Sequence, residues 1–360
     1  MDGFKNIEIK NFRGIDHLRI EDFSRVNIFL GQNSSGKSSI LECLLLLVGM
    51  SNPDLPQTIN SIRSRSYHSS LLDLGYMFHK YDLKVSPEIS SEMFDETKRR
   101  LALYLTYVFD EKSQSDMPAG QLPTSETKTF QNTLKMVFDI ESCNQKNSYE
   151  SSITVNQQGF NSNKKPAENY LEKNSAVYLS SDLGGSTPAN DLIELAKRKR
   201  KDIVTEQLKL FDSRITTWEI LNSVAYIGLE GIDQLLAVNM MGDGLRRYLN
   251  IVAASANPLN NILLIDEIEN GLHYSAYKKL WEAIFALAVS TNKQVFVTTH
   301  SKETLYRLNE MLEEHAEYRN ELSLYTLEQT KLKGHQAYRL PYEGLAEACK
   351  NNIEIRSVVL

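Results

Sequence analysis

The segment from Gly31 to Ser38 contains the residues whose types and spacing point most directly to a chemical activity. Its sequence, GQNSSGKS, fits the pattern G-x-x-x-x-G-K-[ST]. Glycines in such a loop let backbone N–H groups turn onto phosphates, and the N-terminus of a following helix adds a favourable dipole. Lys37 would reach the β- and γ-phosphates, and Ser38 would hold Mg²⁺. The alternative is a glycine- and serine-rich loop that fits the pattern by chance.

The flanking sequence predicts the elements that position this loop. Val26, Ile28 and Leu30 lie in a short β-prone run before it, and an apolar helix that extends to Met50 follows it. Strand, glycine loop and helix together are the context that a phosphate-binding loop requires, which favours the functional interpretation. The predicted nucleotide-binding residues of this segment are Gly31, Asn33, Ser34, Ser35, Gly36, Lys37, Ser38 and Ser39.

A second strand candidate, Asn261 to Ile265 (NILLI), is followed immediately by Asp266 and Glu267. A continuous apolar strand that ends in two acids suits a nucleotide site. Asp266 would hold Mg²⁺ through water, and Glu267 would orient or deprotonate the attacking water. The alternative is that the two carboxylates cap the N-terminus of a helix.

The next predicted strand, Gln294 to Thr298, leads to Thr299-His300-Ser301 and a helix from Lys302. A single histidine is commonly structural or exposed. One at the carboxyl end of a strand, where α/β sheets bind ligands, is well placed to sense a γ-phosphate. The predicted catalytic residues are therefore Lys37, Glu267 and His300.

Composition narrows the class of protein. The chain has 360 residues, of which 41% are hydrophobic, and a formal net charge of −6. This argues against a globally basic nucleic-acid binder but leaves room for a local patch. One basic cluster, Lys197 to Lys201, lies in a helix-like run from Asp191 to Phe211. It is either a solvated helix face or a DNA contact.

The remaining composition predicts a cytoplasmic protein without a membrane segment. Three scattered cysteines form no metal-spacing pair, which suits a reducing compartment. The first ten residues carry charges where a secretory signal would be apolar, and the longest apolar run, Leu41 to Met50, is too short to span a bilayer.

Strand and turn patterns predict three parts of the chain. Residues 1–66 form an N-terminal lobe with the phosphate loop, and residues 67–213 form an insert with a β-meander and a helical segment. Residues 214–360 form a C-terminal lobe. The meander is expected from alternating runs at Leu101 to Phe109, Leu134 to Ile140 and Ile153 to Val155.

The order of these motifs resembles an ABC-type ATPase head of the SMC/RecF/OLD group, which includes AAA family ATPases of anti-phage systems such as PARIS. The resemblance rests on the phosphate loop, MGDGLRR (241–247), LLIDE, NGLH (270–273), TTH and the opening IEIKNFRGI. It implies an α/β fold: a mixed sheet with helices, an N-terminal antiparallel β-subdomain and an α+β insertion. The substrates and cofactors that it implies are ATP and Mg²⁺.

The resemblance also implies a homo-oligomer, with ATP held between the phosphate loop of one subunit and the signature segment of another. That segment corresponds here to Gly242, Asp243 and Gly244, although ordinary helix capping is the alternative reading of these residues. By the same resemblance, Arg13 meets the nucleotide. The signature serine of transporter-type heads is absent, and Gln57, in a proline-bounded loop, is the candidate for the Mg²⁺-contacting glutamine. Slow or partner-dependent turnover is therefore expected.

Two functions fit such an ATPase. The first is a regulatory or sensor subunit of a bacterial anti-phage system. Sixty residues follow His300, too few for a Toprim nuclease, so a nuclease or toxin effector is expected on a separate chain. The second is a RecF- or SMC-like repair ATPase that binds DNA. A transporter subunit fits less well because the insert is large and the transporter-type signature is missing.

Overall fold

The protein is described by a computed structural model over residues 2–64, 74–109, 130–142, 145–156, 162–181, 188–330 and 334–356. Two large sheets dominate it. The first is antiparallel, with the order β2-β1-β4-β5-β6-β7-β8. Its strands are β1 Ile7–Phe12, β2 Ile15–Ile20, β4 Glu88–Glu92, β5 Lys98–Phe109, β6 Phe130–Ser142, β7 Gln145–Asn156 and β8 Ser162–Lys165.

The second sheet has the order β16-β15-β3-β14-β13-β9 and is parallel except for the β15–β16 pair. Its strands are β3 Val26–Gly31, β9 Ala176–Leu179, β13 Ile262–Ile265, β14 Gln294–Thr299, β15 Leu322–Thr330 and β16 Gly334–Leu340. A small antiparallel sheet is formed by β10 Ile215–Leu221, β11 Val224–Leu229 and β12 Leu236–Ala237.

The helices that pack on these sheets are α1 Lys37–Val48, α2 Leu55–Ser64, α3 Ala189–Lys197, α4 Lys201–Phe211, α5 Asp243–Ala256, α6 Tyr277–Ser290, α7 Lys302–Glu314 and α8 Tyr342–Asn351. Short 3-10 turns occur at His79–Tyr81, Val238–Met240, Tyr274–Ala276 and Ala316–Glu321. Among the described residues, no helix has both the length and the apolar character needed to cross a bilayer.

The mixed sheet is buried on both faces, and this explains its apolar strands. Val26 and Ile28 of β3 belong to the core cluster that contains α5, α6 and α7, whereas Phe29 belongs to the cluster of α1 and the antiparallel sheet. Alternate residues of a strand point to opposite faces, so a strand between two layers is apolar throughout. α1 is buried on nearly all sides because it lies between the two sheets.

The structure confirms the predicted fold class, an ATPase head with a mixed sheet, helices and an N-terminal antiparallel sheet. It corrects two local predictions. The run from Asp191 to Phe211 is two helices, α3 and α4, separated at Lys199, whose φ of 57° is incompatible with a continuous helix. The segment around Gln57 is not a loop but part of α2, because Pro56 lies in the first helical turn, where its missing N–H has no intrahelical acceptor.

The strands of residues 67–213 join both large sheets. β4 to β8 extend the sheet that β1 and β2 begin, and β9 pairs in parallel with β13 of the mixed sheet. The boundary expected after residue 66 lies outside the described residues. The division at 66 and 213 therefore stays a prediction.

Candidate functional site

The glycine loop makes a tight turn between β3 and α1. Gly36 is the N-cap of α1 and has a φ of 93°, a left-handed conformation that favours glycine. At Gly31 a Cβ atom would lie 2.9 Å from the carbonyl oxygen of Leu327 in the neighbouring strand. The loop therefore lies against β15, and its geometry explains both glycines of the motif. Asn33 and Ser34 are exposed at its outer side, whereas Ser39 is buried at the start of α1.

Lys37 lies across this loop. Its Nζ donates to the carbonyl oxygens of Gly31, at 2.8 Å, and Gln32, at 2.7 Å. Burial lowers the pKa of the Lys37 amino group, and the nearby carboxylates of Asp266, Glu267 and Glu269 oppose that shift. The ammonium group is thus fixed at the loop, and acidic side chains from β13 and the turn after it lie close by.

Asp266 connects the end of the loop with two other strands, β14 and β9. The Oγ of Ser38 donates to Asp266 Oδ1 at 3.0 Å, and the Oγ1 of Thr298 donates to the same oxygen at 2.6 Å. The hydroxyl of Tyr178, on β9, donates to Asp266 Oδ2 at 3.1 Å. Burial, followed by the charge of Asp266, raises the pKa of the Tyr178 hydroxyl, so Tyr178 stays a donor. All of these contacts to a buried carboxylate come from hydroxyl groups.

Glu267 is the next residue, and its backbone has a φ of 46°, which is uncommon for a residue other than glycine. Two contacts hold this turn. The N–H of Glu267 donates to Thr298 Oγ1 at 2.8 Å. Arg247 of α5 donates through Nη2 to the carbonyl oxygens of Asp266, at 2.7 Å, and Glu267, at 3.3 Å. The side chain of Glu267 is only partly buried, so these backbone contacts fix a carboxylate that stays accessible.

Arg247 is almost fully buried, with 1% of its surface exposed. Its Nη1 donates to the carbonyl oxygen of Ser180 at 2.5 Å, which adds the end of β9 to the same cluster. Burial lowers the pKa of the guanidinium to about 10, so it remains charged near neutral pH. The cluster shows how α5 is tied to the backbone of the acidic pair.

His300 follows β14 and is held by a second carboxylate. Glu269 Oε1 accepts from the backbone N–H of His300 at 2.8 Å and lies 2.9 Å from its ring Nδ1. Glu269 is buried, and its Oε2 has no hydrogen-bond partner within the described part of the chain. The imidazole itself is about half exposed at the sheet edge. Glu269 thus orients a histidine that can still reach a ligand.

Arg13 lies beside α1 and not on the loop. Its Nε donates to Glu42 Oε2 at 2.5 Å and its Nη2 to Asn60 Oδ1 at 2.8 Å. Arg63 of α2 donates to the other oxygen of Glu42 and, through Nη2, to Ser39 Oγ at 3.3 Å. The buried carboxylate of Glu42, in the middle of α1, therefore accepts from Arg13 through one oxygen and from Arg63 through the other.

The other predicted positions lie apart from these contacts. Gln57 is a partly buried residue of α2, and its role stays a prediction. Gly242 is the exposed N-cap of α5, and Asp243 is exposed and pairs with Arg246. Gly244 faces the turn at 270–273, since a Cβ there would lie 3.3 Å from the carbonyl oxygen of Gly271. The start of α5 is therefore a surface feature that packs on that turn.

The structure thus brings together Lys37, Ser38, Asp266, Glu267 and His300. It adds residues that motif reasoning missed, namely Glu269, Tyr178, Thr298, Arg247 and Arg63. Glu269 had a detectable signal, since a third acid follows two residues after the acidic pair. Tyr178 had no such signal, because the sequence of the four-residue strand β9 does not indicate which strand it pairs with.

Comparisons with known proteins identify the family of the chain. The sequence model of the AAA ATPase domain family matches residues 4–305. The chain is 28% identical over 352 residues to an ATP/GTP phosphatase of Helicobacter pylori, an alignment that covers 90% of this chain and 92% of that protein. It is 49% identical over 43 residues to the DNA replication and repair protein RecF of Lactococcus lactis, or 12% of either protein.

A solved SMC head bound to the C-winged helix domain of ScpA aligns with 95% of this chain and 99% of its own, with a TM-score of 0.50 and 11% identity. At that identity the likeness concerns the fold, which confirms the predicted ATPase-head architecture. Because the family match covers most of the chain, the protein belongs to the AAA ATPase domain family and is an ATPase with an SMC-type head fold.

Proposed function

We propose that the protein hydrolyses ATP with Mg²⁺ at the site formed by the loop at Gly31–Ser38 and the residues Asp266, Glu267 and His300. The observation that carries this proposal is the 3.0 Å contact between Ser38 Oγ and Asp266 Oδ1. This contact joins the phosphate-binding loop to the acidic end of β13, although 228 positions separate the two residues in sequence. A nucleotide site needs both motifs.

The residues at this contact fit a magnesium ion. Asp266 is a buried carboxylate whose described hydrogen-bond donors are the hydroxyls of Ser38, Thr298 and Tyr178. Hydroxyl and carboxylate oxygens are the ligand types that Mg²⁺ prefers, together with water and substrate phosphates. Ser38 and Asp266 would hold the ion, and Gln57 is a further predicted ligand. When bound, Mg²⁺ would neutralise charge on the phosphates.

Residues of the chain itself would bind the phosphates and activate the attacking water. The loop N–H groups and the first turn of α1 would bind phosphate oxygens, with Arg13 near the start of α1 as a further predicted contact. Lys37 would exchange its two carbonyl acceptors for oxygens of the β- and γ-phosphates. Glu267 would accept a proton from the attacking water, and His300 would contact the γ-phosphate. The fixed backbone at Glu267 supports this role, because a general base must be positioned before the water attacks.

The exposed start of α5 supports pairing of two copies. Gly242, Asp243 and Gly244 would contact the γ-phosphate bound to the loop of a second subunit, so that ATP joins the two heads. No serine is available there, so backbone N–H groups would make the contact. This incomplete set of donors is the reason to expect slow turnover that a partner accelerates.

At the level of the cell, we propose a cytoplasmic regulatory or sensor subunit of a bacterial anti-phage system, which controls a separate nuclease or toxin. The support is the motif resemblance to ATPases of such systems. Co-expression with the product of the neighbouring gene tests it. We expect protection from phage that requires both proteins and an intact Lys37. If the two proteins gave no protection even when expressed together, the proposal would be contradicted.

A DNA-binding repair ATPase is the second candidate, and the local identity to RecF favours it. The basic cluster gives it limited support. Arg198 pairs with Glu194, and Lys201 pairs with Glu219 while it lies over the ring of Trp218, so two of its five cations are engaged within the chain. ATP-dependent DNA binding that weakens with salt would favour this candidate, and absence of binding at low salt would exclude it.

Two substitutions test the nucleotide site. Glu267→Gln should keep ATP binding but lower the rate of phosphate release by about 10²- to 10⁴-fold, the usual contribution of a general base. It should also stabilise an ATP-dependent dimer, measured by light scattering after size-exclusion chromatography. Lys37→Ala should lose ATP binding, measured by calorimetry.

Lys278→Ala is a matched control, because Lys278 makes a surface pair with Glu314 and lies on α6. It should behave like the parent protein in all three measurements. If Glu267→Gln and Lys37→Ala also hydrolysed ATP at the parental rate, the assignment of the site would be wrong.

A further inference from the structure

A segment near the C-terminus passes beside the phosphate loop. After α8 the chain returns to the mixed sheet, where Thr326 Oγ1 donates to the carbonyl oxygen of Ile355 at 2.6 Å. The next residue, Arg356, lines a cleft of about 260 Å³. One wall of the cleft is the outer half of the loop, residues 32–35, and the other is the end of β15, residues 327–329.

The guanidinium of Arg356 is held by His300 and Glu354. Its Nη1 donates to the carbonyl oxygen of His300 at 2.6 Å. Its Nε and Nη2 donate to the two oxygens of Glu354 at 2.8 and 2.6 Å. The guanidinium therefore lies between the loop and the histidine proposed to contact the γ-phosphate, with 31% of the side chain exposed.

The two walls of the cleft differ in their chemistry. Ser35 is 7% exposed, and its Oγ lacks a hydrogen-bond partner in the ranges that the structure describes. This hydroxyl faces the backbone of Gly31, since a Cβ atom there would lie 2.5 Å from it, and so it belongs to the interior of the loop. The opposite wall carries the carboxylate of Glu328, whose Oε2 is buried without a partner in the described part of the chain. This carboxylate repels an anion and would confine a phosphate to the side of the loop and Arg356.

We propose that Arg356 is a ligand of the terminal phosphate of bound ATP, supplied by the same chain. This inference rests on the proposed function. Arg356 would leave Glu354 for the phosphate, because planar guanidinium groups bind phosphate with two hydrogen bonds. Glu354 would remain paired, since its Oε2 also lies 3.0 Å from Lys302 Nζ. The exchange therefore leaves no carboxylate without a cation.

The test compares affinities for a non-hydrolysable ATP analogue and for ADP, measured by calorimetry. Loss of a charge-assisted hydrogen bond in Arg356→Ala should weaken binding of the analogue roughly tenfold or more, with ADP affinity nearly unchanged. Arg356→Lys should recover part of the loss. A purely structural role would change both affinities equally.

Arg214→Ala is the matched control. Arg214 pairs with Asp212 two residues earlier, through its backbone N–H, Nε and Nη2, as Arg356 does with Glu354. It should leave both affinities unchanged. Equal affinities of Arg356→Ala and the parent for the analogue would overturn the role of Arg356. If Lys37→Ala also bound the analogue normally, the proposed site itself would fail, so the two failures are distinguishable.

Discussion

Arg247→Met tests whether the backbone of the acidic turn must be held for catalysis. Arg247 contributes no side-chain atom to the proposed reaction, but it donates to the carbonyl oxygens of Asp266, Glu267 and Ser180. Methionine has a similar length and no donor. The substitution therefore removes these hydrogen bonds and leaves the local volume nearly unchanged.

The stability cost follows from two opposing terms. Loss of the two shortest hydrogen bonds, which Arg247 donates to the carbonyl oxygens of Ser180 and Asp266, costs about 1.5–3 kcal/mol each, or about 4 kcal/mol together. Burial lowers the pKa of Arg247 from its ordinary value to about 10. At about 1.4 kcal/mol per pKa unit, replacement by methionine would relieve about 3 kcal/mol. The net destabilisation is about 1 kcal/mol, which should lower the melting temperature by about 2–4 °C.

The effect on catalysis should be much larger. The left-handed backbone at Glu267 is of a kind that persists only when its surroundings determine it. Once Arg247 is removed, the carboxylate can move, and a displacement of about 1 Å can reduce a rate about 10²-fold. We expect kcat for ATP to fall by about that factor, in a steady-state phosphate-release assay well below the melting temperature.

Arg99→Met is the control for this experiment. Arg99 is also buried, at 4% exposure, but it pairs with Glu172 and Tyr170 beside the antiparallel sheet. Its removal leaves an unpaired carboxylate, so its stability cost should be at least as large, yet kcat should not change. If Arg247→Met kept the parental kcat, or if both variants lost activity in proportion to their melting temperatures, the reasoning would be refuted.

Two further predictions concern Glu269 and Lys293. Glu269→Gln should lower kcat about tenfold with an unchanged KM for ATP. The amide weakens the contact to His300, and it buries an N–H donor where Glu269 Oε2 has no described partner. An unchanged kcat would contradict the positioning role of Glu269. Burial lowers the pKa of Lys293 to about 7 from an ordinary value of 10.5. Between pH 7 and pH 10.5 the unfolded chain therefore binds more protons than the folded chain. The free energy of unfolding should then rise with pH, by up to about 1.4 kcal/mol per pH unit. Lys293→Met should remove this pH dependence in chemical denaturation at pH 7 to 10, and identical slopes for the two proteins would contradict it.

The parts of the site that could be predicted are those in which local chemistry and local backbone agree. Gly31 and Gly36 suit both the turn and the proposed phosphate binding, so one motif indicates the strand, the loop and the helix. The run before Asp266 is apolar throughout, and β14 is apolar at residues 295–297, because both strands are covered on both faces. A strand of that kind, ending in a polar residue, is visible without any alignment.

The parts that could not be predicted depend on pairing between distant segments. Tyr178 reaches Asp266 because β9 pairs with β13, and nothing in four residues of sequence specifies that partner. Helix α2 could not be predicted, because the prolines near its start are typical of a segment that ends a helix. The break between α3 and α4 occurs at Lys199, a residue type that does not normally signal a left-handed turn.

Arg247 connects helix α5 to the backbone of the acidic turn. Gly242, at the exposed start of this helix, precedes Arg247 by five residues, which in an α-helix is a rise of about 7–8 Å. A helix transmits a small displacement of its end with little bending, and Arg247 connects it directly to the backbone of Glu267. In the proposed pair of heads, a second subunit that binds its nucleotide against Gly242 would therefore act on Glu267, the proposed general base of the first. The same contact explains how an ATP-dependent pair of heads could couple its two sites without any side chain that crosses between them.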